Sequence, residues 1–164
     1  MKEEINIKNK IAIQETYGDR FQHCRGCGVK NDQGLHLKSY PSEDGESVVC
    51  KFLPNKKFTG GVPANLFGGM IAMIFDCHGT ASAAYFNHKN KGLDLTYDTI
   101  IDRYITARLE VDFKKPVPMN KEITVTSSLE ELSQKKAFIN MNMKVNGDTK
   151  ARAKIIAVCI KDNM

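Results

Sequence analysis

An acidic side chain lies inside the longest apolar stretch of the chain, which runs from Met70 to Phe86 and contains Asp76. A carboxylate is costly to bury unless it is paired or hydrogen-bonded, so Asp76 has two interpretations. It is either a core aspartate that is hydrogen-bonded to a neighbouring residue or a group that takes part in acid–base or nucleophilic chemistry. Thr80 follows four residues later on the same helical face, with its β-carbon about 6 Å away. Its hydroxyl could hold a water beside the carboxylate or donate to a carbonyl of its own helix.

Two consecutive glycines, Gly68 and Gly69, precede this stretch. The first N–H groups of a helix have no partner inside the helix and carry partial positive charge. A carbonyl compound bound there would find donors for a developing oxyanion. Glycine also lets a neighbouring group approach a helix start closely, and close packing is the alternative interpretation of this pair.

The spacing of these groups constrains any reaction that uses both. Gly68 and Asp76 are eight residues apart, or roughly 12 Å along a helix axis. A base or nucleophile and an oxyanion donor must each lie within about 3 Å of one carbonyl group. One helix cannot place both there, so the second group must come from another subunit. The chemistry therefore predicts a homo-oligomer, a dimer or a tetramer, with antiparallel helices at the shared interface.

The segment that carries Asp76 is predicted to be one long helix from Gly68 to Phe86, apolar on almost every face and therefore buried. Residues 5–20 are a second helical candidate. Period-two alternation of apolar and polar residues, interrupted by turn residues, indicates antiparallel strands. These are expected at about 34–40, 47–53, 107–113, 123–126, 138–145 and 151–160, with a hairpin at Asn146-Gly147. The pattern predicts an α+β fold in which one buried helix lies across a curved six-stranded antiparallel sheet.

Three groups of residues resemble the motifs of one family. They are Cys24-Arg25-Gly26-Cys27-Gly28 with Gly34-Leu35-His36-Leu37, then Gly61 with Gly68-Gly69 and Asp76, and then Thr106 to Phe113 with Pro116-Val117-Pro118. Over about residues 22–160 the chain resembles the hotdog-fold acyl-CoA thioesterases of the phenylacetate-pathway (PaaI-like) type. The resemblance implies a single hotdog domain over 1–164. Within it, residues 1–33 form an extension with the Cys-rich turn and 34–160 form the core.

This resemblance implies hydrolysis of an acyl-CoA thioester to a free acid and CoA, by an enzyme that forms dimers and often tetramers. By position, Gly68 would supply the N–H that polarises the carbonyl, with Gly69 beside it. Asp76 would act as nucleophile or general base, and Thr80 falls where some relatives carry a hydroxyl near the attacking water.

Two positions depart from the family pattern. Phe67 replaces the histidine that precedes the two glycines and is a candidate substrate contact. Some relatives carry an asparagine where Gly61 stands, and Asn65 is the candidate replacement. The missing histidine keeps a second hypothesis open, namely a non-catalytic hotdog module that binds acyl-CoA or acyl groups. A related hotdog dehydratase ranks last, because its Asp/His pair does not occur at a convincing spacing.

The remaining cysteine and histidine signals are interpreted as structural. Cys24 and Cys27 form one CxxC motif without the second pair of a standard zinc site, so a pair of structural thiols is favoured over zinc. Cys50, Cys77 and Cys159 fall in predicted strands or in the helix and are interpreted as core residues. We expect neither a metal nor another cofactor at the site.

His78 is two residues from Asp76, or about 200° further round the helix, so the two do not share a face. A core or interface histidine is therefore the favoured interpretation, and a catalytic role is the alternative.

The charge balance is mild, with 24 Lys and Arg against 19 Asp and Glu and a net charge of +5. Several basic residues are candidates for contacts with the phosphates of CoA, or are plain solvated surface. They are the pairs Lys56-Lys57, Lys114-Lys115 and Lys135-Lys136, with Lys150, Arg152 and Lys154. No recognised motif favours nucleic acid. The first residues lack the apolar segment of a secretory signal, and no clean membrane span occurs. With five cysteines, an odd number, the chain is expected in the reducing cytoplasm and without a membrane partner.

Overall fold

The computed structural model describes residues 11–161. Within that range, two strands precede a single α-helix and four strands follow it, in the predicted order. The strands are β1 (Ser39–Pro41), β2 (Val48–Phe52), β3 (Arg103–Phe113), β4 (Ile123–Leu132), β5 (Lys136–Val145) and β6 (Asp148–Ile160), and the helix is α1 (Gly68–Asn90).

All six strands join one antiparallel sheet in the order β1-β2-β4-β5-β6-β3. The chain leaves β2, forms α1 and β3, and returns to pair β4 with β2. The hairpin between β5 and β6 is built on Asn146 and Gly147, whose φ angles are 50° and 78°. Both angles are positive, as a tight hairpin turn of this kind requires, and the predicted hairpin is confirmed. Strand β3 lies at one edge of the sheet.

The helix lies against the sheet and is buried along most of its length, as its apolar composition predicted. It approaches the sheet closely at Gly79, where an added β-carbon would lie 2.7 Å from Cγ2 of Ile155 and 3.1 Å from Cε of Met141. A glycine is needed there because no methyl group fits between α1 and the sheet. The predicted architecture, one buried helix packed on a six-stranded antiparallel sheet, is confirmed.

The boundaries near the amino terminus differ from the prediction. Of the expected strand 34–40, only Ser39 and Tyr40 join the sheet, as part of β1. The preceding residues bond to the Cys-rich turn instead, where Leu35 N–H donates to Arg25 C=O and Leu37 N–H to Gly26 C=O, both at 3.0 Å.

The predicted helix within 5–20 is wrong for its described part. That part contains two short 3-10 turns, Ile13–Thr16 and Asp19–Phe21, and residues 5–10 lie outside the described range. The long helix begins at Gly68 as predicted and ends at Asn90, four residues later than expected. It stops before Gly92, whose φ of 73° is a common helix-ending conformation. None of the helices in residues 11–161 has the length and apolarity that a membrane crossing requires.

Candidate active site

Asp76 is half-buried on α1, and its carboxylate is held by a residue from the sheet. The hydroxyl of Thr106, on β3, donates a hydrogen bond to Oδ1 of Asp76. A hydrogen bond to a carboxylate fixes its orientation and stabilises the ionised form. In the sequence, Thr106 is the first residue of the strand motif Thr106 to Phe113 and has no predicted role. Membership of that motif was the only sequence feature that pointed to Thr106.

Thr80 lies on the same face as Asp76 but does not contact the carboxylate through its hydroxyl. It is buried, and its Oγ1 donates to the carbonyl oxygens of Asp76 and Cys77, at 3.2 and 3.3 Å. The Thr80 hydroxyl therefore bonds to its own helix, which was the alternative to holding a water beside the carboxylate. The hydroxyl beside the carboxylate belongs to Thr106.

The amino terminus of α1 presents two free donors. Phe67 is the N-cap residue, and its carbonyl accepts from the N–H groups of Met70 and Ile71, at 3.1 and 3.4 Å. Among residues 11–161, the N–H groups of Gly68 and Gly69 have no acceptor, and both residues are exposed. The helix dipole adds partial positive charge at this point. The arrangement can stabilise negative charge on a carbonyl oxygen.

Two aromatic rings flank these donors. An added β-carbon at Gly69 would lie 2.6 Å from Cε2 of Phe67, and one at Gly68 would lie 3.5 Å from Cε1 of Phe113. The rings are 38% and 57% exposed, respectively, which is high for phenylalanine. Gly69 therefore makes room for the Phe67 ring. Together the two rings form apolar walls beside the helix terminus.

Asn65 contributes its backbone to the loop before the helix. It bridges to Pro118, its N–H donates to Val62 C=O at 3.0 Å, and its carbonyl accepts from Gly60 N–H at 2.7 Å. These bonds fix the chain that leads into Gly68. They assign no substrate contact to its side chain.

Gly68 and Asp76 belong to the same helix, as the distance argument assumed. Eight residues of α-helix separate them by roughly 12 Å. One protomer therefore holds the two halves of the candidate site too far apart to act on a single carbonyl.

The predicted lysine contacts lie at opposite ends of the sheet. Lys114 N–H and Lys115 N–H both donate to Lys150 C=O, close to the turn between β5 and β6, and Lys115 pairs with Asp148 at 2.8 Å. Lys136 opens β5 at the other end, next to Lys135. The eight residues from Lys136 to Lys144 alone span roughly 26 Å of extended strand. The two pairs thus form two separate basic sites within one protomer.

A surface depression of about 480 Å³ contains Lys56, from the first of the basic pairs. Leu53, Pro54, Asn55, Lys56 and Asn120 line it. The loop that carries Lys56 reaches the helix start, where Phe67 N–H donates to Phe58 C=O at 3.2 Å. The depression does not include Asp76, so we interpret it as a neighbouring surface rather than the reaction centre.

His78 is a core residue. It is buried, and its Nδ1 lies 2.9 Å from the Ser39 hydroxyl, which also accepts from the side-chain amide of Gln14 at 3.0 Å. Burial lowers the pKa of His78 from 6.5 to about 3, so the ring is neutral at physiological pH. Its ring hydrogen-bonds to Ser39 and interacts with the backbone of Val48, on the side of the helix away from Asp76.

The comparisons with known proteins concern the fold and the sequence as a whole. No family model matches the chain. A solved structure of a thioesterase superfamily protein from Shewanella loihica is 29% identical, and the alignment covers 76% of this chain and 91% of that one, with a TM-score of 0.61. The chain has the hotdog fold and is similar to proteins of the thioesterase superfamily.

More distant hotdog structures share the fold. The PaaI protein of E. coli is 12% identical over 77% of this chain and 81% of its own, with a TM-score of 0.60. A hypothetical thioesterase from Streptococcus pneumoniae, solved with coenzyme A, is 10% identical over 70% of this chain and 81% of its own, with a TM-score of 0.57.

The curated relatives of this hotdog chain are larger proteins. Acyl-coenzyme A thioesterase THEM4 of Rattus norvegicus is 25% identical over 155 residues, or 94% of this chain. The chain spans 60% of the length of that rat protein.

Proposed function

We propose that this chain hydrolyses the thioester bond of an acyl-CoA. The observation that carries the proposal is the half-buried carboxylate of Asp76, which the Thr106 hydroxyl on β3 orients. Asp76 lies on α1, whose amino terminus presents the free N–H groups of Gly68 and Gly69. Water is added across the thioester, so one acyl-CoA and one water give one carboxylic acid and one CoA thiol.

Each half of the site has a defined chemical role. The Gly68 N–H, supported by Gly69, donates to the thioester oxygen as negative charge develops on it. Asp76 either takes a proton from the attacking water or attacks the carbonyl directly to form a mixed anhydride that water then hydrolyses. Both routes need the ionised carboxylate close to the carbonyl carbon.

The proposed site is shared by two protomers, because Asp76 and Gly68 of one chain are too far apart. The surface of β3 supports this assembly. Among the described residues, β3 pairs on one side only, with β6, and carries the exposed apolar side chains of Ile105 and Phe113. A long, apolar edge strand is a surface that natural proteins cover. A second copy paired along β3 would cover it, with the two helices antiparallel.

Several surfaces near the helix terminus suit an acyl-CoA. Phe67 and Phe113 offer apolar contact to an acyl or pantetheine chain, while Lys56 and Lys114 lie on the same side of the molecule for the phosphate groups. The relatives named acyl-coenzyme A thioesterase and the neighbour solved with coenzyme A support this substrate class. We place the enzyme in the cytoplasm, where its five free thiols would stay reduced.

The decisive experiment replaces Asp76 by asparagine, which keeps the shape and removes the charge. Thiol release should fall by at least about 100-fold in kcat over a panel of acyl-CoAs, the usual scale for losing general base catalysis. Asp98→Asn is the matched control, because Asp98 is an exposed loop carboxylate, and it should leave turnover unchanged. An Asp76→Asn protein with unchanged melting and turnover within a few-fold of the wild type would defeat the proposal.

A second candidate function follows from Phe67. Its ring offers no hydrogen bond where the family carries a histidine, and it lies directly over Gly69. That arrangement favours binding over turnover, as in a non-catalytic module for acyl-CoA. Saturable binding of an acyl-CoA by the wild-type protein without any thiol release would select this function instead.

A further inference from the structure

Three cysteine thiols from two distant segments meet beside the candidate site. Cys24 and Cys27 come from the turn that follows the 3-10 turn Asp19–Phe21, and Cys77 comes from α1, one residue after Asp76. Their Sγ atoms all lie within 4.8 Å of one another, and those of Cys24 and Cys77 are 3.8 Å apart. The sequence spacing favoured a structural pair of thiols because it offered only one CxxC motif. The structure supplies a third thiol 53 residues away.

The separation of these sulfur atoms suits a tetrahedral metal ion. A zinc–thiolate bond is about 2.3 Å long, so two thiolates on one tetrahedral zinc lie roughly 3.8 Å apart. A disulfide would instead bring two sulfurs to about 2.05 Å. The distance of 3.8 Å between the Sγ atoms of Cys24 and Cys77 matches this tetrahedral value.

The turn around Cys24 has the backbone of a metal-binding loop. Gly26 N–H donates to Sγ of Cys24 at 3.4 Å, and Gly28 N–H donates to Cys24 C=O at 2.8 Å. An N–H donor of this kind stabilises negative charge on a thiolate. The turn is tight, because a β-carbon at Gly28 would lie 2.4 Å from the Cys24 nitrogen and 2.5 Å from Gln22 C=O. The CxxC spacing and this backbone provide two of the ligands of a zinc site.

Gly26 also admits the third thiol. An added β-carbon there would lie 2.4 Å from Sγ of Cys77. Any other residue at position 26 would push the turn away from α1 and separate Cys77 from the CxxC pair. Gly26 therefore has two roles in the cluster. Its N–H donates to Cys24, and its lack of a side chain leaves the space that the Cys77 thiol occupies.

A nearby cation balances the charge that a metal would leave. Three thiolates and one divalent ion carry a net charge of −1. The Arg103 guanidinium stacks on the Tyr17 ring, 4.5 Å from its centroid, and is close enough to Cys27 to interact with it electrostatically.

We propose that Cys24, Cys27 and Cys77 form a three-thiolate site for one soft divalent metal ion, with zinc as the expected occupant. Cys27 and Cys77 are buried and Cys24 is half-exposed, so the fourth position opens to solvent beside Cys24. Binding displaces the remaining thiol protons to solvent, one for each thiol that is protonated beforehand. The ion joins the segment before β1 to the helix that carries Asp76, and its role is structural.

Cobalt titration tests the site directly. Reduced protein, stripped with a chelator, should take up one equivalent of Co²⁺ and develop a thiolate-to-cobalt charge-transfer band with the visible bands of a tetrahedral ion. Zinc should then displace the cobalt. Cys24→Ser and Cys77→Ser should each weaken metal binding by at least about 100-fold, since losing even an outer-shell partner costs 10- to 100-fold. Cys50→Ser and Cys159→Ser are the matched controls and should leave the titration unchanged.

Thermal unfolding gives a second readout that does not depend on turnover. Zinc should raise the Tm of the wild-type protein and of Cys159→Ser, but not of Cys24→Ser, whose half-exposed position tolerates the change. The proposal is overturned if the reduced protein takes up no cobalt, or if the charge-transfer band survives Cys24→Ser and Cys77→Ser unchanged. Neither readout uses an acyl-CoA, so this site stands or falls separately from the proposed hydrolysis.

Discussion

At the scale of single residues, two threonines near Asp76 do different things. The Thr106 hydroxyl reaches the carboxylate across the interface between β3 and α1, whereas the Thr80 hydroxyl donates to the carbonyls of its own helix. A carboxylate that acts on a carbonyl must be held in one orientation. The structure assigns that positioning to the strand residue.

Replacing each threonine by valine separates the two roles. Thr106→Val removes a hydrogen bond to a charged group, worth about 1.5–3 kcal/mol, and should lower kcat by roughly 10-fold or more. Thr80→Val keeps the buried shape and should leave kcat within a few-fold. Thiol release from acyl-CoA measures both variants. Equal losses in the two, or a larger loss in Thr80→Val, would contradict the assignment of Thr106.

His78 links stability to pH. Its pKa falls from 6.5 in the unfolded chain to about 3 in the fold because burial disfavours the charged ring. Between those values the unfolded state binds the extra proton, so stability is lost as pH falls through this window. At pH 4.5 the loss from His78 should reach roughly 3 kcal/mol, since each pH unit in this window is worth about 1.4 kcal/mol.

Urea unfolding at pH 7.5 and 4.5 measures this dependence. His78→Gln should flatten it by about that amount, while the exposed His23→Gln should follow the wild type. Parallel pH dependences for wild type and His78→Gln would show that His78 is charged in the folded protein.

At the scale of elements, the contact between α1 and the sheet depends on Gly79. The helix approaches β6 so closely that an added methyl group would lie 2.7 Å from Cγ2 of Ile155. This close approach also fixes the height of the helix above the sheet, and with it the position of Asp76 relative to Thr106.

Gly79→Ala should therefore destabilise the protein. Overpacking costs about 1–3 kcal/mol, and the better helix propensity of alanine returns up to about 1 kcal/mol. We expect a net loss of roughly 1–2 kcal/mol in the free energy of unfolding, measured by urea denaturation. Gly61→Ala is the control, because a β-carbon there meets nothing within 4 Å. A Gly79→Ala protein as stable as the wild type would show that the helix can move away from the sheet.

At the scale of the whole molecule, the proposed dimer depends on the free edge of β3. This eleven-residue strand pairs with β6 on one side, and within residues 11–161 no strand covers the other side. The ring of Phe113 lies beside Gly68, where an added β-carbon would be 3.5 Å from its Cε1, so the same surface serves the proposed interface and the helix terminus.

Hydrogen exchange along β3 tests the proposed dimer. The N–H groups of Arg103–Phe113 that do not bond to β6 should be protected at high protein concentration and exchange faster on dilution. Light scattering on the same samples should report a dimer or a larger oligomer. A fully active monomer whose outer β3 amides exchange rapidly at every concentration would remove the shared site.

The sequence by itself determined the features that local patterns control. The start of α1 at Gly68, its burial, the hairpin at Asn146-Gly147 and the order of strands around the helix all follow from periodicity and turn chemistry. Each of these signals spans only a few consecutive residues, so the sequence alone shows it. Residues 34–38 also have the local pattern of a strand, but the backbone N–H groups of Leu35 and Leu37 donate to the Cys-rich turn and not to the sheet. A local pattern cannot show which partner a backbone group finds.

Only the tertiary structure decided which side chains meet. Thr106 reaches Asp76 across 30 residues of sequence, and Cys77 reaches Cys24 across 53. Both contacts depend on the order of strands in the sheet and on the height of the helix above it. The β-bulge between Thr106 and Arg108 further changes which residues of β3 face the helix. Long-range packing sets these quantities, and no local pattern records them.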